Sequence, residues 1–321
     1  MLVRVRQRDR TVGLAVGVAR SHRRHVIVHS NGFYIHQTGD PKFDRLMIEH
    51  NGLLTDRDSG HDVHAAVWTY LERERPEWDE FYMGGFASTG EEWWIPRSAK
   101  LLHDVDGSLD WSYVDLVEVR GSGKCYLQHL SSNKRHQIRR SMRLYEDAYG
   151  ALGFHIAEDL DEALEYYRCL KALHQQYWAS KGEPGAFSDN FMDGFHQSLI
   201  RSGFHAGSIQ LARIGHAHGA VGYLYNFAQG GHVYNYQSGF HYEENSKLKP
   251  GLVSHSLAIQ HSLDRGDRVY DFLAGNERYK KSLGNRSGHM TWHVLRRPKL
   301  RFRVEAGLRS MRRGLRSAVR Q

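Results

Sequence analysis

The residues best suited to chemistry fall between Tyr270 and Gly284. Asp271 sits inside an apolar run, Val269 to Leu273, and Tyr279, Lys280 and Lys281 follow beyond Gly275. A carboxylate in a segment that otherwise favours burial is costly unless paired, so it needs a reason. On one reading Asp271 caps or braces the loop, with a salt bridge to Lys280 or Lys281 pinning it. On the other, strand end and loop form the floor of an active site. Two further patterns are weaker. Gly121-Ser122-Gly123-Lys124 lacks the full spacing of a phosphate loop and reads as a hairpin turn. Among 22 histidines, His216-Ala217-His218 is the closest cluster, and it has no third ligand at metal spacing, so no metal is expected.

The elements that must position these residues can be read from periodicity. Val12, Leu14, Val16 and Val18 alternate with small residues and predict a strand with one apolar face. Strands are expected at 24–29 and 33–36 with Ser30-Asn31-Gly32 as their turn, and another at 46–50. A helix follows at 63–73, stopped by Pro76, then a strand at 80–86. Trp93 and Trp94 fit a short helix or an edge, and 114–119 reads as a strand. Residues 131–148 form a strongly basic helix with Ile138, Met142 and Tyr145 inward; it is either a solvated connector or a holder of an anionic ligand.

The second half reads more cleanly. A strand at 154–157 precedes a long helix capped by Asp159 or Asp161, striped with Leu160, Ala163, Leu164, Tyr167, Leu170 and Tyr177. A second helix, 189–200, carries Phe191, Phe195 and Leu199 at spacings of four. Three strands (208–214, 219–227, 232–239) make an antiparallel meander, followed by a helix at 251–263 and the strand that holds Asp271. Phe81-Tyr82-Met83-Gly84-Gly85 resembles the end of that last strand. This predicts a tandem duplication whose first copy lacks the Asp and the Tyr-Lys cluster.

At 321 residues two domains are expected. No run of about 18 apolar residues occurs. Two cysteines, Cys125 and Cys169, are too few for a disulfide framework, and a reducing cytoplasm is expected. The net charge is +8, and residues 299–321 carry +7 of it, so the body is nearly neutral and no DNA-binding role is expected. In that tail Val304, Leu308, Met311, Leu315 and Ala318 fall at helical spacing. Such a basic amphipathic helix packs on the body or rests on anionic lipid at the inner face of a membrane.

The element order and the stretch Tyr-Asp-Phe-Leu-Ala-Gly-Asn-Glu-Arg-Tyr-Lys-Lys-Ser-Leu-Gly resemble a GNAT-fold acyltransferase. The branch is the BioF2-like, or cellulose-biosynthesis CelD-like, acetyltransferase family, related to the FemAB peptidyltransferases. Residues 46–52, Lys181 to Phe187 and Lys249-Pro250-Gly251 add to the likeness. The resemblance implies an α/β (α+β) protein with tandem GNAT-like domains, each a mixed, mostly antiparallel sheet flanked by helices. The expected parts are a degenerate first domain at 1–130, short of the family's usual leading helices, and the basic connecting helix at 131–150. A catalytic domain at 151–297 and the tail at 298–321 complete them.

The resemblance also implies a place for acyl-CoA, most simply acetyl-CoA, in the gap between two splayed strands. Free amides at Gly251, Leu252 and Val253, with Lys247 and Lys249, would receive its pyrophosphate. Tyr236 would sit on the cofactor strand. Tyr234, Tyr223 and Lys281 would face the acceptor. Lys280, beside Tyr279, would stabilise the oxyanion formed when an amine or hydroxyl attacks a thioester, and Asp271 would orient it or take a proton. The usual GNAT pyrophosphate loop is absent. The implied function is acyl transfer to an amine or hydroxyl of a sugar, polysaccharide or cell-envelope precursor. The alternatives are aminoacyl transfer from charged tRNA, which the near-neutral body weighs against, and an inactive scaffold of an exopolysaccharide or cellulose biosynthesis complex.

Overall fold

The computed structural model describes residues 1–24, 28–75, 77–87 and 101–305. The chain forms two compact units, residues 1–109 with 288–321 and residues 110–287. The fold class is mixed α/β. These boundaries differ from those expected, because residues 288–296 pair along a strand of the first unit while 110–130 pack in the second.

The first unit contains β1 (Leu2–Gln7), β2 (Arg10–Arg24), β3 (Val28–Ile35), β4 (Leu54–Thr55), α1 (Gly60–Arg73) and β5 (Glu80–Ala87). β1, β2 and β3 are antiparallel, and β4 pairs with β2. β5 lies parallel to β3 across the α1 crossover, with Phe33 opposite Phe81 and Tyr34 opposite Tyr82. Val12 enters the core as expected, but farther along β2 the inward face is the opposite one. Gly13, Ala15 and Gly17 are buried while Val16 is exposed, because Val63 of α1 and the Phe33 ring approach the backbone too closely for side chains. Ser30-Asn31-Gly32 lies within β3 rather than in a turn, and 46–50 is not a strand. Pro76, Trp93 and Trp94 lie outside the described residues.

β6 (Leu102–Asp115) leads into the second unit, which continues with α2 (Leu116–Gly121), α3 (Tyr126–His129), α4 (Ser132–Tyr149), β7 (Gly153–Ile156), α5 (Leu160–Ser180) and α6 (Asn190–Gly203). The meander β8 (Ile209–His216), β9 (Gly219–Gln229) and β10 (His232–Phe240) follows. α7 (Pro250–Arg265), β11 (Val269–Ala274) and α8 (Arg278–Leu283) complete it, and β12 (Arg286–Arg296) returns to pair with β5. Residues 116–119 are helical rather than extended because Asp115 accepts the Glu118 amide and caps α2. Gly121 to Lys124 accordingly makes a turn between helices, with Gly123 at φ 68°.

In the second unit the sheet order is the end of β6, then β11, β10, β9, β8 and β7. α7 crosses between the parallel strands β10 and β11, as α1 does between β3 and β5. Leu116, Tyr126, Ile138, Val253, Ile259 and Tyr270 pack on one face; Ala163, Tyr167, Leu170, Phe187, Ile200 and Tyr225 pack on the other. Asp159, not Asp161, caps α5 through the Glu162 amide, a bond worth about 1 kcal/mol. The buried stripe of α6 is Met192, His196 and Ile200, one position along from the predicted phenylalanines, and Phe195 is exposed. No helix among the described residues is long and apolar enough to cross a membrane.

Candidate active site

β10 and β11 pair only over His232–Tyr234 and Val269–Asp271. Beyond that point they part. β10 runs on to Phe240 beside β9, while β11 shifts register between Asp271 and Ala274 and continues with β6 at Trp111. The cause is local. Leu273 adopts φ 60°, a left-handed conformation that is costly for a branched side chain, and Asp271 Oδ1 accepts its amide at 2.7 Å. Asp271 is therefore a buried carboxylate that holds the bend separating the strands. Lys280 bonds Ala274 O and Glu277, and Lys281 pairs with Asp110.

Lys280 enters from α8 at the end of β11. Its ammonium donates to Ala274 O at 2.6 Å and pairs with the exposed Glu277 at 3.3 Å, and the residue is buried. Gly275, at φ 142°, is required here: a Cβ would lie 2.7 Å from Lys280 Nζ and 2.1 Å from Glu277 Oε2. Lys281 points away and pairs with Asp110 at 2.6 Å. Tyr279 stacks on His255 of α7, with ring centroids 5.4 Å apart, and burial raises its pKa.

α7 supplies the other wall. Val253 closes the first helical bond to Lys249 O, so its amide is not open; Pro250 has none, which leaves Gly251 and Leu252 as the unbonded donors. Ser141 of α4 accepts the Lys249 amide at 2.8 Å. Burial, then the charge of Lys249, hold the Lys134 pKa below its ordinary value, so two cations share this helix start. Lys247 is exposed on the preceding turn. On the outer side of α4, Arg135, His136, Arg139, Arg143 and Glu146 line a groove of about 590 Å³.

The tyrosines divide. Tyr234 lies opposite Asp271, and burial and that carboxylate raise its pKa. Tyr236 and Tyr223 belong to the aromatic packing under α5 and α6. Tyr236 meets His196 Nε2 at 3.1 Å; Tyr223 lies against Tyr166, its pKa pushed up to about 12, chiefly by burial. Their rings belong to that packing, while Tyr236 itself stands on β10 just beyond its last pair with β11. The residue that sequence reasoning missed is His255, fully buried and ringed by Phe240, Tyr270, Phe272 and Tyr279. One histidine among 22 on an apolar helix carried no spacing signal. Among the described residues no three His, Cys, Asp or Glu side chains converge as metal ligands. His216, from the cluster noted in the sequence, stacks on Tyr149 at 4.5 Å.

Residues 132–281 match the acetyltransferase (GNAT) domain model, a span that holds α4, the meander, α7, β11 and Lys280. No curated protein matches the sequence. Three solved structures share the fold at 10% identity. A conserved protein of unknown function from Bacteroides thetaiotaomicron matches with TM-score 0.54 over 88% of this chain and 83% of its own. The C-terminal domain (DUF2156) of a proposed lysylphosphatidylglycerol synthetase from Agrobacterium fabrum matches with TM-score 0.54 over 88% and 80%. L-PGS from Bacillus licheniformis matches with TM-score 0.53 over 90% and 82%.

Proposed function

We infer, from the match of residues 132–281 to the acetyltransferase (GNAT) domain model, that the protein moves an acyl group from acyl-CoA, most simply acetyl-CoA, to an amine or hydroxyl. The observation that carries this reading is the parting of β10 and β11 with Lys280 buried at its end. The gap takes the pantetheine arm. The open amides of Gly251 and Leu252, with Lys249 and Lys134, receive its phosphates. As the nucleophile attacks, a C–N or C–O bond forms, the C–S bond breaks, and the proton given up by the amine or hydroxyl goes to the departing thiolate, which leaves as the free thiol of CoA. The Lys280 ammonium steadies the oxyanion between these events. Asp271 acts as a positioning residue through the bend it fixes. On the resemblance of the β11–α8 motif, the acceptor is assigned to sugars, polysaccharides or cell-envelope precursors.

The groove along α4 favours a second donor, an aminoacyl group carried on tRNA. Arg139, Arg140 and Arg143 make no ion pair among the described residues and leave positive charge for a phosphate backbone. Calorimetric titration with acetyl-CoA separates the two. Wild type is expected to bind, and Lys280→Ala to bind while losing about 100-fold in kcat. No heat with wild type would sink the acyl-CoA reading and leave the tRNA-borne donor to be tested.

A further inference from the structure

Two buried polar atoms near the start of α7 have no hydrogen-bond partner among the described residues: Ser254 Oγ and His255 Nε2. Both residues are fully buried. Gly251, Ser254 and His255 share one face of the helix at i, i+3 and i+4, and that face meets β10. A Cβ on Gly251 would lie 3.1 Å from the Phe240 ring, and the His255 ring centroid is 5.8 Å from that of Phe240. On its other side His255 meets Phe272 of β11 edge-on at 5.4 Å. Phe240 and Phe272 both lie beyond the last residues that β10 and β11 pair, so the imidazole, on the α7 side of the sheet, covers the point where the strands diverge.

The proton on this ring can be placed. His255 Nδ1 is 3.2 Å from the Tyr270 hydroxyl, and that buried hydroxyl has no other partner among the described residues. A buried phenol donates where it can, so its proton goes to Nδ1 and the neutral ring carries its own on Nε2. Burial, and then the charge of Lys280, lower the His255 pKa to about 3, which keeps the ring neutral at working pH. The result is an N–H donor among aromatic rings, with no acceptor among the described residues. Such a donor destabilises the free protein unless a ligand satisfies it.

We propose that His255 is a substrate-binding residue whose Nε2–H donates to the acyl carbonyl oxygen of the donor lying between β10 and β11. A neutral donor in an aromatic wall suits a carbonyl, whereas the phosphates are served at the cationic start of α7. The same bond strengthens as the carbonyl oxygen gains charge, so its loss lowers kcat as well as affinity. The assignment rests on the acyl-CoA reading above.

The test compares acetyl-CoA with CoA, which lacks the acyl carbonyl. In protein labelled with 15N-histidine, His255 is expected as the Nε2–H tautomer, its resonance shifting with acetyl-CoA and holding still with CoA. By calorimetry His255→Phe should weaken acetyl-CoA by about tenfold, leave CoA unchanged, and be largely rescued in His255→Gln, which keeps an N–H near Nε2. An Nδ1–H tautomer, or an equal response to CoA and acetyl-CoA, would overturn the assignment while leaving acyl-CoA binding intact. Wild type binding neither ligand would instead remove the acyl-CoA reading, and this assignment with it. The spectrum of the wild type decides the matter even where a variant fails to fold.

Discussion

At the scale of single residues, Asp271 shows how a polar group in an apolar strand is put to use. It accepts the amide of Leu273, and so supports the left-handed backbone that turns β11 aside. Removing it leaves that half-buried amide unanswered and releases the bend. Asp271→Ala is expected to lower unfolding free energy by about 1–3 kcal/mol and to reduce acyl transfer. Asp271→Asn still offers an oxygen to Leu273 and should restore both. Denaturant midpoints and turnover on the same preparations check this. A stable but inactive Asn variant would show that the carboxylate takes a proton. Sequence pointed to this residue because burial and charge conflict within one short segment. Its true partner, two residues along the chain, depends on a backbone conformation that no residue type at Leu273 announces.

At the scale of elements, α6 and the meander hold a histidine that makes their packing sensitive to acid. His196 is buried between the hydroxyls of Tyr236 and Tyr225, and burial lowers its pKa to about 4. Above pH 6.5 the ring is neutral in folded and unfolded chains alike. Between 6.5 and 4 the unfolded chain binds a proton that the folded one refuses, so stability falls as pH falls and levels off below 4. From pH 7 to pH 5 this group alone removes about 2 kcal/mol, and His255 acts in the same direction. Urea denaturation at both pH values should show His196→Asn losing about 2 kcal/mol less than wild type; an unchanged difference would mean that the ring is already charged in the fold.

Element types and order were largely legible, from the capped α5 through the meander to α7 and β11. Registers and faces were less so. The stripe of α6 moved by one residue, since phenylalanine spacing says which side is apolar but not which side the sheet takes. β6 and β12 escaped because their partners lie far off in sequence, β11 for one and β5 for the other. The expected basic tail is partly spoken for: Lys299 and Arg301 pair with Asp79, and Phe302 is buried, while 306–321 lie outside the described residues.

At the scale of the whole molecule, each unit repeats one arrangement, two parallel strands around a crossover helix, and uses it differently. By register Tyr34 and Tyr82 stand where Tyr234 and Asp271 do, and the two first-unit rings stack at 4.4 Å. Beyond that pair Asn51 bridges the strands. Its side chain donates to Ile35 O at 3.3 Å and Gly84 O at 2.9 Å, its amide donates to Gly85 O, and Ile48 O lies where a Cβ on Gly85 would go. Asn51→Ala is expected to lower the melting temperature, at a cost of about 1–3 kcal/mol, and to leave acetyl-CoA affinity unchanged; calorimetry reads both. A loss of affinity would tie the first unit to donor binding. Residues 48–51 thus behave toward the first unit as a tethered ligand. Because the tether fixes their local concentration, occupancy there does not depend on any metabolite. Under the acyl-CoA reading, of two similar strand gaps one is permanently filled by the chain itself, and only the other is left to answer to the level of donor in the cell.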